Sequence, residues 1–164
     1  MIRGLQLLAV AVASIGLAGC AAPAVVPDLS SQVELTQVPF YPQTEHHCGP
    51  AALASVLQYA DVSARPETLA EQIYVPGRQG SLQVELLAAA RRHARIAYPI
   101  APRFDALKSE IDNGRPVLIL QNLGLDIAPQ WHYAVVVGYA SDHLILRSGT
   151  TDRLVVSRTR FAAT

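Results

Sequence analysis

The spacing of apolar positions changes character several times along this chain, and each change predicts a different element. Leu5 to Leu17 is a nearly unbroken apolar run behind a single charge at Arg3. It is shorter than the ~20 residues that a membrane-spanning helix needs and has the anatomy of a secretory signal. From Ala21 to Gln37 the residues are small, polar and proline-containing without a sustained period, which predicts a tether. Val38-Pro39-Phe40-Tyr41-Pro42 is apolar but bounded by proline, so it is an edge strand or an extended lead-in. A helical period then sets in. Behind Cys48-Gly49-Pro50, the residues Leu53, Val56, Leu57 and Ala60 fall at i, i+3, i+4 and i+7 and predict a helix with one buried face. Pro50 stands in its first turn, where a missing N–H costs nothing.

Pro66 opens a second, short helix to about Tyr74, with Leu69 and Ile73 inward, and residues 75–80 read as a loop from their proline and two glycines. Ser81 is placed to cap a third helix whose stripe is Leu82, Leu86, Ala89, Ala90 and His93. His93 ends that stripe beside three arginines, as a C-terminal charge or a core filler. Ile96 to Ile100 reads as a short strand. Phe104 to Asn113 reads as a fourth helix, with Leu107 and Ile111 inside and Gly114 as its terminator. Strands follow at Pro116–Gln121, Trp131–Tyr139, His143–Arg147 and Arg153–Ser157, with turns at residues 140–142 and 149–152. The apolar run Val117 to Leu120 predicts a central strand covered on both faces. Helices first and antiparallel strands afterwards predict an α+β domain, N-terminal helices packed on a C-terminal antiparallel sheet.

Charge removes one class of function. The 164 residues carry 13 basic and 13 acidic side chains, with Lys108 the only lysine, so the basic footprint that nucleic acid requires is lacking. Cysteine usage then narrows the chemistry. There are two cysteines, Cys20 and Cys48. Leu17-Ala18-Gly19-Cys20 resembles the lipobox of bacterial lipoproteins, which implies cleavage before Cys20 and acylation of that residue. On this reading residues 1–19 are a lipoprotein signal peptide, 20–37 a lipidated tether and 38–164 the folded domain. The implied place is the cell envelope, lipid-anchored in the membrane through Cys20. Ala21, being non-acidic, implies outer-membrane sorting with the domain facing the periplasm. With Cys20 committed to lipid, Cys48 has no partner for an intrachain disulfide in a compartment that oxidises thiols.

A cysteine at a helix start feels the positive end of the macrodipole and unpaired N–H donors, both of which favour thiolate. Such a nucleophile needs a base, and His132, at the start of the strand Trp131–Tyr139, is the candidate. Alternation puts His132, Ala134, Val136 and Gly138 on one face of that strand. Adjacent Trp131 is a wall over the site or a core residue. His46 and His47 precede Cys48, but no second cysteine or i,i+4 histidine pair completes a zinc site, so neither metal nor cofactor is expected.

Gln43, Cys48-Gly49-Pro50-Ala51 and the strand His132-Tyr133-Ala134-Val135-Val136-Val137-Gly138-Tyr139 together resemble the papain-like cysteine peptidases of the bacteriocin-processing type, which cut after a double glycine. The resemblance spans about Val38 to Ser157. It implies a papain-like cysteine peptidase fold, a peptide or protein substrate, Cys48 as nucleophile and His132 as base. It also implies Gln43 as an oxyanion donor beside the Cys48 N–H, although Gln43 stands one residue closer to the cysteine than in that family and is otherwise a loop residue. Where the family has an aspartate followed by proline, this chain has Arg147-Ser148-Gly149. Ser148 is the leading candidate to orient His132, with Asp152, Asp126 and Asn122 as alternatives. The resulting expectation is a lipid-anchored peptidase that cleaves peptide or isopeptide bonds through a Cys-His acyl-enzyme. Two other readings stand beside it: a transpeptidase or amidase, the former resembling phytochelatin synthase, and a lipoprotein that binds a peptide or protein partner in the same cleft without turnover.

Overall fold

A computed structural model describes residues 32–43 and 46–164. The signal peptide and Cys20 lie outside the described residues, as does most of the expected tether. The order of elements is β1 (Val33–Glu34), α1 (Cys48–Tyr59), α2 (Pro66–Ile73), β2 (Tyr74–Val75), β3 (Gly80–Ser81), α3 (Gln83–Arg92), α4 (Phe104–Asp112), β4 (Val117–Asn122), β5 (Trp131–Tyr139), β6 (His143–Ser148), β7 (Thr151–Ser157) and α5 (Arg158–Phe161). This is the expected α+β arrangement, with α1 to α4 ahead of the antiparallel strands β4 to β7. Among the described residues no helix is long and apolar enough to cross a membrane.

The centre of the sheet is β5. One edge of it pairs with β6, and β4 and β1 also pair with it, β4 along Trp131–Val136 and β1 at Gly138–Tyr139, all antiparallel. The apolar run of β4 therefore belongs to a strand that pairs with β5 alone, and its residues Val117 to Leu120 are half-buried. β5 is buried on both faces, every residue from Tyr133 to Tyr139 being buried, and so is β6 from Leu144 to Ser148.

Each face of β5 organises its own core. Tyr133, Val135 and Val137 pack with α1, α2 and α3, whereas Ala134 and Val136 pack with Leu107 and Ile111 of α4. A bulge between Val136 and Gly138 interrupts the alternation and turns Tyr139 onto the α4 side. There its hydroxyl donates to Asp112 and its ring lies under Lys108. Gly138 permits the close approach of β1, since a Cβ there would lie 2.5 Å from the Val33 carbonyl oxygen and 3.0 Å from the Glu34 Cα. α1 is more deeply enclosed than a single apolar face predicts. Gly49 to Ser55 and Leu57 are all buried, and their small side chains let neighbouring elements approach closely.

Four local expectations change. The sheet begins at Val33, inside the stretch expected to be tether, and residues 38–42 form an extended lead-in without strand pairing. Residues 96–100 are irregular and pair with no strand, and Ile96 and Tyr98 are exposed. The loop 75–80 is a small β2–β3 hairpin around a 3₁₀ turn at Pro76–Arg78. Ser81 belongs to β3, and Leu82 occupies the cap position of α3 with no side-chain cap bond. Gly114 does end α4, at φ 71°, with the Gly114 and Arg115 N–H groups returning to the carbonyls of Ile111 and Glu110.

Candidate active site

Cys48 is the first residue of α1 and is half-buried. His47 makes no side-chain cap bond to this helix and no acidic residue stands in its first turn, so within the helix itself nothing offsets the positive end of its dipole. The helix start is held from outside. His47 sets the edge of its ring against Tyr74 of β2, with centroids 5.4 Å apart and planes at 87°. Gly49 lies so close to β3 that a Cβ on it would stand 2.9 Å from the Ser81 Cβ and Oγ and 3.4 Å from the Tyr133 ring. α1 thus begins at the Trp131–Tyr133 end of β5, the end that carries His132.

His132 opens its strand opposite Gln121 of β4 and is half-buried. Its Nε2 lies 3.0 Å from Ser148 Oγ at the end of β6. With that nitrogen carrying the proton toward Ser148, Nδ1 is the unprotonated nitrogen and is free to accept one. Burial pushes the imidazole below its ordinary value, because the charged form is desolvated. The thiol and imidazole are not hydrogen-bonded to each other, a contact that such sites often complete only with substrate in place.

Gln43 is no idle loop residue. Its backbone N–H donates to the Gly149 carbonyl (2.9 Å), and its Oε1 accepts the Gly149 N–H (3.1 Å). Its Nε2 donates to the Tyr133 carbonyl at 3.3 Å, which leaves one amide hydrogen uncommitted. One side chain thereby joins the His132 strand to the turn that follows Ser148.

The alternative orienting residues are engaged elsewhere. The Asp152 carboxylate stands 3.2 Å from Arg147 Nε and is largely exposed. Arg147, itself buried, also donates to the carbonyls of Val38 and Asp152, tying the lead-in to the β6–β7 hairpin. Asn122 Oδ1 accepts from the N–H groups of Gly124 and Gln130 and so holds the β4–β5 loop in shape. Asp126 is exposed within that loop. Trp131 is not core: it is 63% exposed, and Leu123, Leu125 and Ile127 of the preceding loop are exposed as well. Among the described residues no group of three or more His, Cys, Asp or Glu is placed to hold a metal ion. An open cavity bordered by Tyr41, Gln58 and Asp61 lies at the other end of α1, away from Cys48.

Sequence reasoning passed over Tyr133. Its hydroxyl donates to the Ser81 carbonyl at 3.2 Å, and its phenol is pushed up to about 12, first by burial and then by the negative charge Cys48 can carry. The only signal in the sequence was its place next to His132, which by alternation put it on the core side.

The model of the Peptidase_C39-like family matches residues 35–151, most of the chain and all of the site just described. The chain belongs to that family. It is therefore a member of a cysteine-peptidase family, and the solved structures that resemble it have the same fold. A C39-like peptidase from Bacillus anthracis is 21% identical, covering 79% of this chain and 90% of its own, with a TM-score of 0.63. A double-glycine-motif protease of an AMS/PCAT transporter, in complex with its leader peptide, is 22% identical over 78% of this chain and 85% of its own, with a TM-score of 0.61. The peptidase domain of Streptococcus ComA, a bifunctional ABC transporter in quorum sensing, is 23% identical over 77% and 90%, also with a TM-score of 0.61. No curated protein matches the chain by sequence.

Proposed function

We propose that this chain hydrolyses peptide or isopeptide bonds through a thioester on Cys48. The observation that carries the proposal is the division of labour on His132: Nε2 is held by Ser148, so Nδ1 is the atom left to serve a thiol at the start of α1. Nδ1 takes the thiol proton as Sγ attacks the carbonyl carbon, and returns it to the leaving amine as the tetrahedral intermediate collapses. Water activated by the same nitrogen then releases the acyl group. Developing oxyanion charge meets the Cys48 N–H and the uncommitted amide hydrogen of Gln43, a donor whose loss typically costs about 2.7–4 kcal/mol in transition-state stabilisation.

Ser148 makes this pair unlike one backed by a carboxylate. A hydroxyl either accepts the Nε2–H or donates to Nε2, so it holds the ring in place without choosing its tautomer, and it brings no negative charge to hold an imidazolium. Together with the burial of His132, this favours a neutral imidazole at rest. The same feature is what favours a second reading, peptide binding without turnover. A peptide-library cleavage profile of the native chain against Cys48→Ala separates the two. Cleavage that disappears in Cys48→Ala, and in His132→Ala by about 10³-fold or more, is expected; tight peptide binding with no cleavage sinks the peptidase reading.

The lipid anchor belongs to this proposal as well. The described chain enters at Gln32, beside β1, which pairs with the Gly138–Tyr139 end of β5. That end is separated from His132 by most of a strand, at about 3.4 Å per residue. On this proposal an acylated Cys20 ties the chain to the membrane, with the domain facing the periplasm. Radiolabelled fatty acid should enter the native chain and not Cys20→Ser; equal labelling of both would remove the anchor.

A further inference from the structure

We propose that Tyr133 is a positioning residue: its hydroxyl, donating to the Ser81 carbonyl, fixes the β2–β3 hairpin against the start of α1 and so sets the reactivity of Cys48. The proposal rests on the reading of Cys48 as the nucleophile. Three observations place the hairpin as the mould of that helix start. His47 makes no side-chain cap bond to α1. Tyr74 of β2 meets His47, the residue immediately before Cys48. Ser81 of β3 fills the space that a side chain on Gly49 would need.

The polar tie of this mould is the backbone of Ser81 and not its side chain. Ser81 Oγ is buried without a hydrogen-bond partner, whereas the Ser81 carbonyl receives the Tyr133 hydroxyl. Tyr133 also presents its ring to the Gly49 position and precedes Ala134 on the strand that starts with Trp131 and His132. A single residue thus connects the nucleophile's helix, the hairpin that shapes it and the strand that carries the base. The buried phenol stays protonated through the whole working range of pH, so the tie does not titrate.

Tyr139, on the same strand, supplies the comparison. It too is buried and uses its hydroxyl once, to Asp112, but on the α4 side and at the far end of β5. Tyr133→Phe and Tyr139→Phe each remove one hydroxyl and keep the ring. A structural role predicts equal consequences. A positioning role predicts that both variants lose thermal stability while only Tyr133→Phe changes Cys48.

The test is the rate of alkylation of Cys48 by iodoacetamide across pH in the full chain, with peptide turnover measured in parallel. In Tyr133→Phe the rate of alkylation of Cys48 at neutral pH should fall. Its kcat should fall about tenfold, the order expected when a reacting group is displaced by a fraction of an ångström, with KM unchanged. Tyr139→Phe should keep the native profile. Where Tyr133→Phe does not fold, Gly49→Ala, which pushes Ser81 away from the helix start, should give the same loss of alkylation rate. A native-like profile in Tyr133→Phe or, failing its folding, in Gly49→Ala overturns the positioning role alone, as does an equal loss in Tyr139→Phe. Absence of Cys48-dependent peptide turnover in the native chain overturns the peptidase reading together with it.

Discussion

At the Val136–Tyr139 end, β5 is closed in on every side: β1 and β6 pair with it, Gly138 admits the backbone of β1, and Tyr139 is bonded to Asp112. The opposite end, Trp131–Tyr133, is left incomplete. Trp131 is exposed, His47 makes no side-chain cap bond to α1, Ser81 Oγ is buried without a partner and one amide hydrogen of Gln43 is unspent. The first arrangement maximises burial and pairing; the second keeps donors and a thiol available for a ligand. Stability and chemistry are in this way assigned to different ends of one strand, and substitutions at the two ends should separate them.

The largest effect should come at the open end, from Gln43→Ala. Losing an oxyanion donor is expected to lower kcat/KM by about 10²–10³-fold. The change should fall on kcat, and the melting temperature should move little compared with the activity. A loss expressed wholly as KM would show that Gln43 only shapes the cleft. Gly138→Ala, at the closed end, should do the reverse. Its new Cβ would overlap the Val33 carbonyl and push β1 off the sheet, costing about 1–3 kcal/mol as overpacking does. Calorimetry should show the lower melting temperature, while turnover per folded molecule at low temperature stays near native.

The smallest and most diagnostic change is Ser148→Asp. In the native chain burial holds His132 below its ordinary value, so its neutral form, the base, persists as pH falls and the acid limb of kcat/KM lies below about 6.5. A carboxylate at 148 favours the imidazolium and should move that limb upward by about one unit or more. Stability carries the same sign. A histidine with a lowered folded value leaves the folded chain with fewer bound protons than the unfolded chain, so the native protein loses stability as pH drops from the ordinary value toward the lowered one. Ser148→Asp should reverse that slope, and an acid limb that stays in place would exclude residue 148 as the partner of His132.

Much of this comparison was legible in the chain. The period of Leu53, Val56 and Leu57 located α1, and the position of Cys48 at its start followed. The apolar strand after Trp131 located β5, and Ser148, which the structure sets against Nε2, was reached through the family resemblance, which places an aspartate there. What could not be read has a common cause. β1 is two residues long and carries no periodic signal, being a strand only because Gly138 lets it pair. Residues 96–100 have strand-like composition but pair with no strand. Ser81 has the chemistry of a cap and instead buries its hydroxyl against Gly49, because tertiary packing outweighs a capping preference of about 1 kcal/mol.

The sequence by itself determined the class of fold and singled out Cys48 and His132 as the candidate pair, since helix period, strand alternation and the chemistry of a cysteine at a helix start are local properties. Only the tertiary structure decided what surrounds them. It gave Gln43 its three bonds, turned Asp152 toward Arg147 in place of His132, and brought Tyr133 and Ser81 against the start of α1. Those contacts join residues tens of positions apart, and no local pattern encodes a hydrogen bond whose geometry depends on how two separately formed elements pack.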